Sequence, residues 1–217
     1  MPTDIYLVRH GETHWNLTGR LQGRADVSLS RRGVAQARRV GQYLHDLLSG
    51  EREVALYSSP LRRARQTAQI IARHLDVEYQ LSPNLTEMCF GRWEGLSRPE
   101  IEQRQPGFLR RWQTEADQVV FPSGETCQQV DARASAALGE LVRRHTGSQL
   151  VLVTHGQVIR GLLCLGLRLE PGVRNLINLD NGSVSHLVTS GEGNWRVAES
   201  NRVPAPVPDD TVTPPNT

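Results

Sequence analysis

Residues 4–13 read DIYLVRHGET, and the change of character within this stretch decides the fold. Asp4–Val8 is a mostly apolar run of strand-forming residues, and a polar segment at 9–13 ends it. A buried strand that opens into a polar loop has this pattern. We therefore predict that the first strand delivers Arg9 and His10 to a functional loop.

Strand and helix patterns alternate further along the chain. Val54–Tyr57 and Leu150–Thr154 are predicted strands, and Ser30 is a candidate N-cap for a helix that follows the first strand. Another helix is expected to begin with Ser59 as its cap and Pro60 at its first helical position. This alternation predicts an α/β protein, a three-layer α/β/α sandwich with a mainly parallel central sheet.

The C-terminal part of the chain completes this plan. Thr126–His145 has the apolar spacing of a long helix, and Ser183–Val188 with Trp195–Ala198 is typical of a closing hairpin. Residues 203–217 are rich in Pro, Asp and Thr, show no apolar period and are expected to be disordered. We predict a single domain over residues 1–202 that carries the function, followed by this Pro-rich tail.

Arginine supplies all the fixed basic charge of the 217-residue chain. All 25 residues counted as Lys or Arg are Arg, which excludes a Walker phosphate loop and a Schiff-base lysine. The guanidinium fork matches phosphate oxygens in a bidentate way. The net charge of +2 and the pI of about 8.6 are too mild to indicate a nucleic-acid or membrane partner.

The three cysteines, Cys89, Cys127 and Cys164, are far apart and form no CxxC pair. This spacing favours neither a zinc site nor a disulfide framework, and it fits a cytoplasmic location. The sequence leaves the oligomeric state open, and a homodimer is one arrangement that we consider.

The predicted strands should bring three polar loops to one place, because ligands of open parallel sheets bind beyond the carboxyl ends of the strands. These loops carry Arg9 and His10, the segment Ser58–Arg63, and His155. A neutral imidazole can attack phosphorus while arginines and a protonated His155 stabilise the phosphoryl oxygens. The start of the helix after His155 adds backbone donors for the same group.

The leaving alcohol of such a reaction needs a proton, so a carboxylic acid is expected opposite the imidazole. Two candidates, Glu87 and Glu94, lie in the loop-like segment 83–95. The residues alone leave both candidates open.

A metal site is the alternative interpretation of the histidines. His10 and His14 have the i, i+4 spacing of a zinc-binding helix, but Gly11 and the strand-to-loop context argue against a helix there. No HExxH motif or carboxylate pattern accompanies them. We therefore predict no metal ion and no cofactor.

Six blocks of this sequence resemble the signature of the histidine phosphatase (phosphoglycerate mutase-like) superfamily. In chain order they are 7–13 (LVRHGET) with 16 (N) and 19–23 (GRLQG), 29–37 (LSRRGVAQA), 58–68 (SSPLRRARQTA), 85–95 (LTEMCFGRWEG), 122–126 (PSGET) and 153–156 (VTHG). The resemblance extends from about residue 4 to residue 200. It implies the phosphoglycerate mutase-like version of the α/β sandwich.

The resemblance also implies a role for each matching position. It implies that His10 becomes phosphorylated, that Glu87 is the acid and that Glu94 is structural. It implies that Arg63 binds phosphate rather than Arg62, because the arginine of the family directly precedes Ala. The implied catalytic residues are His10, Glu87, Arg9, Arg63 and His155. The implied substrate-binding residues are Arg9, Asn16, Gln22, Gly23, Arg63, Glu87, His155 and Gly156.

The resemblance is to the phosphatase branch, which includes α-ribazole phosphatases, broad-specificity phosphatases and metal-independent phosphoserine phosphatases. It implies hydrolysis of a phosphomonoester of a small metabolite through a phosphohistidine. A cofactor-dependent phosphoglycerate mutase is one alternative, supported by Arg98, where mutases tend to have Lys. The insertion typical of mutases is shorter here, and its proline-rich segment is missing. A catalytically inactive binding module is the second alternative, although the implied catalytic residues are all present.

The substrate itself is left open by the sequence, with α-ribazole phosphate, phosphoserine and phosphoglycerate among the candidates. Its identity should depend on side chains between about Arg98 and Phe121, where Arg110, Arg111 and Trp112 offer charge and stacking.

Overall fold

The structure, a computed structural model, describes residues 2–48, 50, 52–191 and 194–206. Six strands form one sheet in this part of the chain. They are β1 (Thr3–Arg9), β2 (Val54–Ser58), β3 (Tyr79–Leu81), β4 (Gln149–Thr154), β5 (Val184–Gly191) and β6 (Asn194–Arg202). The strands predicted at 4–8, 54–57 and 150–154 are confirmed; β1 is one residue longer at both ends, and β2 and β4 are each one residue longer at one end.

The sheet has the order β3-β2-β4-β1-β5-β6. β4 lies between β2 and β1 and runs parallel to both, and β3 runs parallel to β2. β5 and β6 are antiparallel additions on the other side of β1 and form the predicted closing hairpin. The carboxyl ends of β1, β2 and β4 therefore meet at one edge of the sheet, as a mainly parallel sheet predicts.

Seven α-helices surround this sheet in the described residues. They are α1 (His14–Leu17), α2 (Arg31–Leu47), α3 (Arg62–Leu75), α4 (Arg98–Arg104), α5 (Phe108–Thr114), α6 (Cys127–Arg144) and α7 (Gly156–Leu167). Short 3-10 turns lie at Pro83–Leu85, Gly91–Trp93, Ala116–Gln118 and Pro171–Leu176. No helix of the described chain has the length and apolar character that a bilayer crossing requires.

Two apolar cores make the fold a three-layer sandwich. The first lies between the sheet and helices α2 and α3, where Val40, Leu44 and Ile71 pack against Val8 and Val151. The second lies on the opposite face under α6 and α7 and includes the aromatic side chains of the segment between β3 and α6. Alternate residues of the central strands point to opposite faces, so their continuous apolar runs fill both cores.

The predicted helix starts have different outcomes. Ser30 caps α2 as predicted, and its side chain accepts a hydrogen bond from the Gly33 amide. The prediction for Ser59 and Pro60 is wrong, because α3 begins only at Arg62. The Ser59 amide donates to the Val153 carbonyl at 2.9 Å, so the pairing of β2 with β4 extends to the residue that was expected as the cap. This shift frees the Ser59 hydroxyl for another contact.

The C-terminal boundary is partly described. β6 ends at Arg202, and residues 203–206 follow it without regular secondary structure. The rest of the tail predicted at 203–217 lies outside the described residues.

Candidate active site

A cavity of about 440 Å³ lies at the carboxyl ends of the parallel strands. Arg9 and His10 reach it from the end of β1, Arg63 from the first turn of α3, and Gly156 from the start of α7. Three loops that are distant in sequence therefore converge there, as the strand pattern predicts. Of the implied site residues, the cavity is lined by Arg9, His10, Asn16, Gln22, Gly23, Arg63, Glu87 and Gly156.

His10 is held in one tautomer by its two ring contacts. Its Nδ1 lies 2.7 Å from the Gly11 carbonyl oxygen, which can only accept a hydrogen bond. Its Nε2 receives a hydrogen bond from Nε of Arg63 at 3.2 Å, and a guanidinium group can only donate. The proton therefore sits on Nδ1, and Nε2 keeps its lone pair.

The same surroundings keep the imidazole of His10 neutral. The ring is 3% exposed, and burial lowers the pKa of His10 well below 6.5, with the charges of Arg63 and Arg9 acting in the same direction. The hydrogen bond to Gly11 opposes this shift. A buried neutral imidazole with an unprotonated Nε2 has the properties of a nucleophile.

His155 differs from the expectation of a protonated group. It is fully buried behind His10, with ring centroids 5.1 Å apart, and it does not line the cavity. Burial, then the charge of Arg63, lowers the pKa of His155 well below 6.5, so the ring is neutral in this state. Its Nε2 contacts the Ser59 hydroxyl at 2.7 Å, while its buried Nδ1 has no hydrogen-bond partner. An arriving phosphoryl anion would favour protonation of this ring.

Arg63 is a fully buried arginine at the centre of the site. Its Nη1 donates to the Ala25 carbonyl at 2.8 Å, and its Nη2 donates to the Gly23 carbonyl at 2.7 Å. Burial lowers the pKa of Arg63 to about 10, which leaves it charged at neutral pH. Arg62 is exposed, so the two adjacent arginines differ in position as the resemblance implies.

Glu87 and Glu94 also occupy different environments. Oε1 of Glu87 accepts hydrogen bonds from the Met88 amide at 2.9 Å and from the Gln157 amide, in the first turn of α7, at 3.2 Å. Glu87 therefore lines the same cavity as His10 and lies next to the start of α7. Oε1 of Glu94 instead accepts from the amides of Arg24 and Phe90 at 3.0 and 3.1 Å. Glu94 connects two loops, the structural position implied for it.

The remaining cavity residues from the first loop have specific anchors. Nη1 of Arg9 donates to the Leu179 carbonyl, and its buried Nε has no partner. Oδ1 of Asn16 accepts from the Thr13 amide at 3.0 Å, which closes a capping box at α1. Gln22 is 8% exposed, and its Oε1 has no partner. These are polar groups at a cavity wall with capacity for further hydrogen bonds.

Gly23 lies at a close approach of two loops. Its φ of +50° lies in the left-handed region, and a Cβ at this position would collide with the carboxylate of Glu94. Glycine at position 23 thereby allows its carbonyl to reach Arg63.

Sequence reasoning missed several groups at this site. Ser59 supports His155, and Nδ2 of Asn181 donates to the His10 carbonyl at 3.1 Å. Arg160 and Gln157 line the cavity from α7. Only the helical spacing after Gly156 could have pointed to Arg160, since position i+4 lies one turn further on the same face.

The outer wall of the cavity is aromatic and basic. Trp15, Phe90 and Trp112 line it, and the Phe90 and Trp112 rings meet edge to face with centroids 6.3 Å apart. Of the specificity segment between about Arg98 and Phe121, Arg98, Trp112 and Gln113 line the cavity. Arg110 and Arg111 do not line it, and Nε of Arg111 pairs with Glu115 at 3.8 Å.

The fold and the residues at the cavity point to a histidine phosphatase, and comparison with known proteins gives the same class. The family model of the histidine phosphatase superfamily (branch 1) matches residues 5–202, and the chain belongs to this superfamily. It is 35% identical over 181 residues to phosphoserine phosphatase 1 of Hydrogenobacter thermophilus, covering 83% of this chain and 84% of the relative. It is 36% identical over 185 residues to phosphoglycerate mutase-like protein 4 of Arabidopsis thaliana, covering 84% and 77%.

Solved structures extend the agreement to three dimensions. The native structure of a mycobacterial glucosyl-3-phosphoglycerate phosphatase superposes with a TM-score of 0.81 at 27% identity, covering 93% of this chain and 99% of that chain. The predicted phosphoglycerate mutase-like α/β fold is thereby confirmed.

Proposed function

We propose that this protein is a metal-independent phosphatase that hydrolyses a phosphomonoester of a small metabolite through a phosphohistidine on His10. The observation that carries the proposal is the pair of contacts that leaves Nε2 of His10 unprotonated at the cavity wall. Relatives that carry the names of phosphatases for phosphoserine and for glucosyl-3-phosphoglycerate support a small phosphorylated metabolite as substrate.

In the first step, Nε2 of His10 attacks phosphorus in line as the bond from phosphorus to the leaving oxygen breaks. Arg63 turns its Nε–H from the imidazole to a phosphoryl oxygen, because Nε2 then forms a covalent bond to phosphorus. Arg9 binds another phosphoryl oxygen, and a protonated His155 adds a further charge once the anion is present. The side-chain amides of Asn16 and Gln22 bind the same oxygens. Gly23 and Gly156, which have no side chain, leave room for the phosphoryl group.

Glu87 carries the protons of both steps. Its protonated form gives a proton to the leaving alcohol oxygen in the first step. In the second step its carboxylate takes a proton from water as the water oxygen bonds to phosphorus and the bond from Nε2 to phosphorus breaks. Inorganic phosphate leaves, and His10 returns to its starting tautomer. The carboxylate is oriented for this by the Met88 and Gln157 amides.

The positive charge for the reaction comes from arginine side chains of the chain itself. Within the described residues, no group of three His, Cys, Asp or Glu side chains could hold a metal ion. The proposal assigns phosphoryl binding to Arg9 and Arg63, and the absence of a metal ion or other cofactor stays a prediction.

Location and assembly remain predictions from the sequence. We propose a cytoplasmic protein, on the basis of three cysteines that are all free in the structure. A homodimer, and the absence of nucleic-acid and membrane partners, also stay predictions.

The decisive experiment traps the intermediate. Glu87→Gln should slow hydrolysis of alkyl phosphates but spare the first step for 4-nitrophenyl phosphate, whose leaving group needs no proton. Rapid-quench mass spectrometry should then detect a phosphoryl adduct on the peptide that contains His10. His10→Ala, the matched control, should show neither adduct nor turnover. An adduct on Ser, Cys or Asp, or undiminished turnover by His10→Ala, would refute the mechanism.

A further inference from the structure

Glu87 lies in a stretch of chain that has no regular secondary structure. The 3-10 turn Pro83–Leu85 precedes this stretch, and residues 86–90 belong to neither a helix nor a strand. The buried main-chain groups of such a segment need hydrogen-bond partners from elsewhere in the fold. The place of the Glu87 carboxyl group therefore depends on the groups that hold its main chain.

Arg133, in the second turn of α6, supplies much of this support. Its Nη1 donates to the Asn84 carbonyl at 2.8 Å, and its Nη2 donates to the Glu87 carbonyl at 3.2 Å. The same guanidinium group binds both carboxylate oxygens of Glu125, from Nε at 3.0 Å and from Nη2 at 3.1 Å. One planar group thus connects the main chain of Glu87 to a charged partner.

Glu125 holds the other end of the same stretch. Its Oε2 accepts a hydrogen bond from the Cys89 amide at 2.8 Å, and its own amide donates to the Cys89 carbonyl at 2.8 Å. A Cβ on Gly124 would stand 2.5 Å from that carbonyl oxygen, so glycine at position 124 permits the close approach. The main chain on both sides of Glu87 is therefore anchored to the pair of Arg133 and Glu125.

Arg133 stands apart from the cavity. Its side chain is 16% exposed, and within the part of the chain that the structure describes it is not among the residues that line the cavity. Its hydrogen bonds therefore act on the reaction through the position of Glu87. Its charge also contributes to the low pKa of His155, after burial and the charge of Arg63.

Resting on the proposed phosphatase function, we propose that Arg133 is a positioning residue that, paired with Glu125, sets the place of the Glu87 carboxyl group for proton transfer to the leaving oxygen. General acid catalysis requires the acid within hydrogen-bond distance of the oxygen that it protonates. A displacement of about 1 Å can reduce a rate by about 100-fold. The support from Arg133 should therefore matter most for substrates whose leaving group needs a proton.

The test compares two esters that differ in their need for the acid. The leaving group of n-butyl phosphate needs a proton, whereas that of 4-nitrophenyl phosphate does not. For both esters kcat/KM reports the steps up to departure of the leaving group. Arg133→Met should lower kcat/KM for n-butyl phosphate by about 10-fold to 100-fold. It should change kcat/KM for 4-nitrophenyl phosphate by less than about 3-fold, which also shows that the variant is folded.

A second variant, Arg133→Lys, separates geometry from charge. It keeps a positive charge near His155, but an ammonium group lacks the planar fork that holds three partners. It should therefore show a selective loss for n-butyl phosphate too, and it decides the question if Arg133→Met does not fold. Glu125 also pairs with Arg24 at 3.1 Å, so neither variant leaves its carboxylate without a partner.

The control is Arg144→Met, which removes an exposed arginine at the end of the same helix and should change the kinetics of neither ester. Equal losses on both esters by the Arg133 variants, or wild-type kcat/KM of Arg133→Lys for n-butyl phosphate, would overturn the inference. Glu87→Gln in the same assay tests the proposed function separately, since it should show the selective loss whether or not Arg133 matters. If Glu87→Gln shows no selective loss, the acid role of Glu87 fails, and this inference with it.

Discussion

Nε of Arg63 donates a hydrogen bond to Nε2 of His10 across 3.2 Å, although 53 positions separate the two residues in the chain. The contact exists because β1 and β2 flank β4, so that the end of β1 and the loop after β2 meet at one edge of the sheet. Together with the Gly11 carbonyl, it fixes the imidazole tautomer. In the proposed reaction the same N–H moves to a phosphoryl oxygen, so one side chain prepares the nucleophile and then stabilises its product.

The first prediction separates the two adjacent arginines. Arg63→Met should lower kcat/KM by about 100-fold to 1000-fold, because it removes a preorganised charge at the phosphoryl group. Arg62→Met should stay within about 3-fold, since Arg62 is exposed. Steady-state kinetics with 4-nitrophenyl phosphate measures both variants. Similar losses at the two positions would contradict the assignment of the phosphate-binding role to Arg63 alone.

The second prediction concerns stability in mild acid. The pKa of His155 is far below 6.5 in the folded protein, so the unfolded chain binds a proton there first as the pH falls. Folding stability should therefore decrease below about pH 6.5, by at most about 1.4 kcal/mol per pH unit for one histidine. His155→Asn should show a shallower loss between pH 6.5 and 5 in chemical denaturation.

The matched control for this prediction is His45→Asn, a change on the exposed face of α2. It should keep the wild-type pH slope. A His155→Asn variant with the unaltered wild-type slope would contradict the neutral buried state of His155.

The third prediction concerns metal ions. Because arginines supply the charge at the phosphoryl group in the proposed mechanism, phosphate release should persist after dialysis against excess EDTA. The measurement is turnover before and after chelation, with metal content checked by mass spectrometry. Activity that disappears and returns only with a divalent ion would contradict the histidine-nucleophile mechanism.

The fourth prediction distinguishes a phosphatase from a mutase. Incubation with 3-phosphoglycerate, with and without 2,3-bisphosphoglycerate as primer, should release phosphate and form little 2-phosphoglycerate. Phosphorus NMR follows both products in one sample. Interconversion that depends on the primer and exceeds hydrolysis would favour the mutase alternative.

Local sequence patterns were sufficient for the main elements of the fold. The apolar run at 4–8 and the run at 150–154 predicted strands, and Ser30 predicted a helix start, because these features depend on neighbours within a few residues. β3 was not predicted, because its three residues, Tyr79–Leu81, lie at the sheet edge and show no apolar pattern. Ser59 was misassigned because the contact with Val153 that extends the strand comes from another part of the chain.

The sequence by itself determined the family, the order of the main strands and helices, and which residues lie at the ends of the central strands. Only the tertiary structure decided that His155 is neutral behind His10, that Ser59 contacts it across 96 positions, and that Arg160 lines the cavity. The physical reason is that burial and charge environment are sums over groups brought together from distant segments. Periodicity records which face of an element is apolar, but it does not record which polar groups meet once those faces have packed.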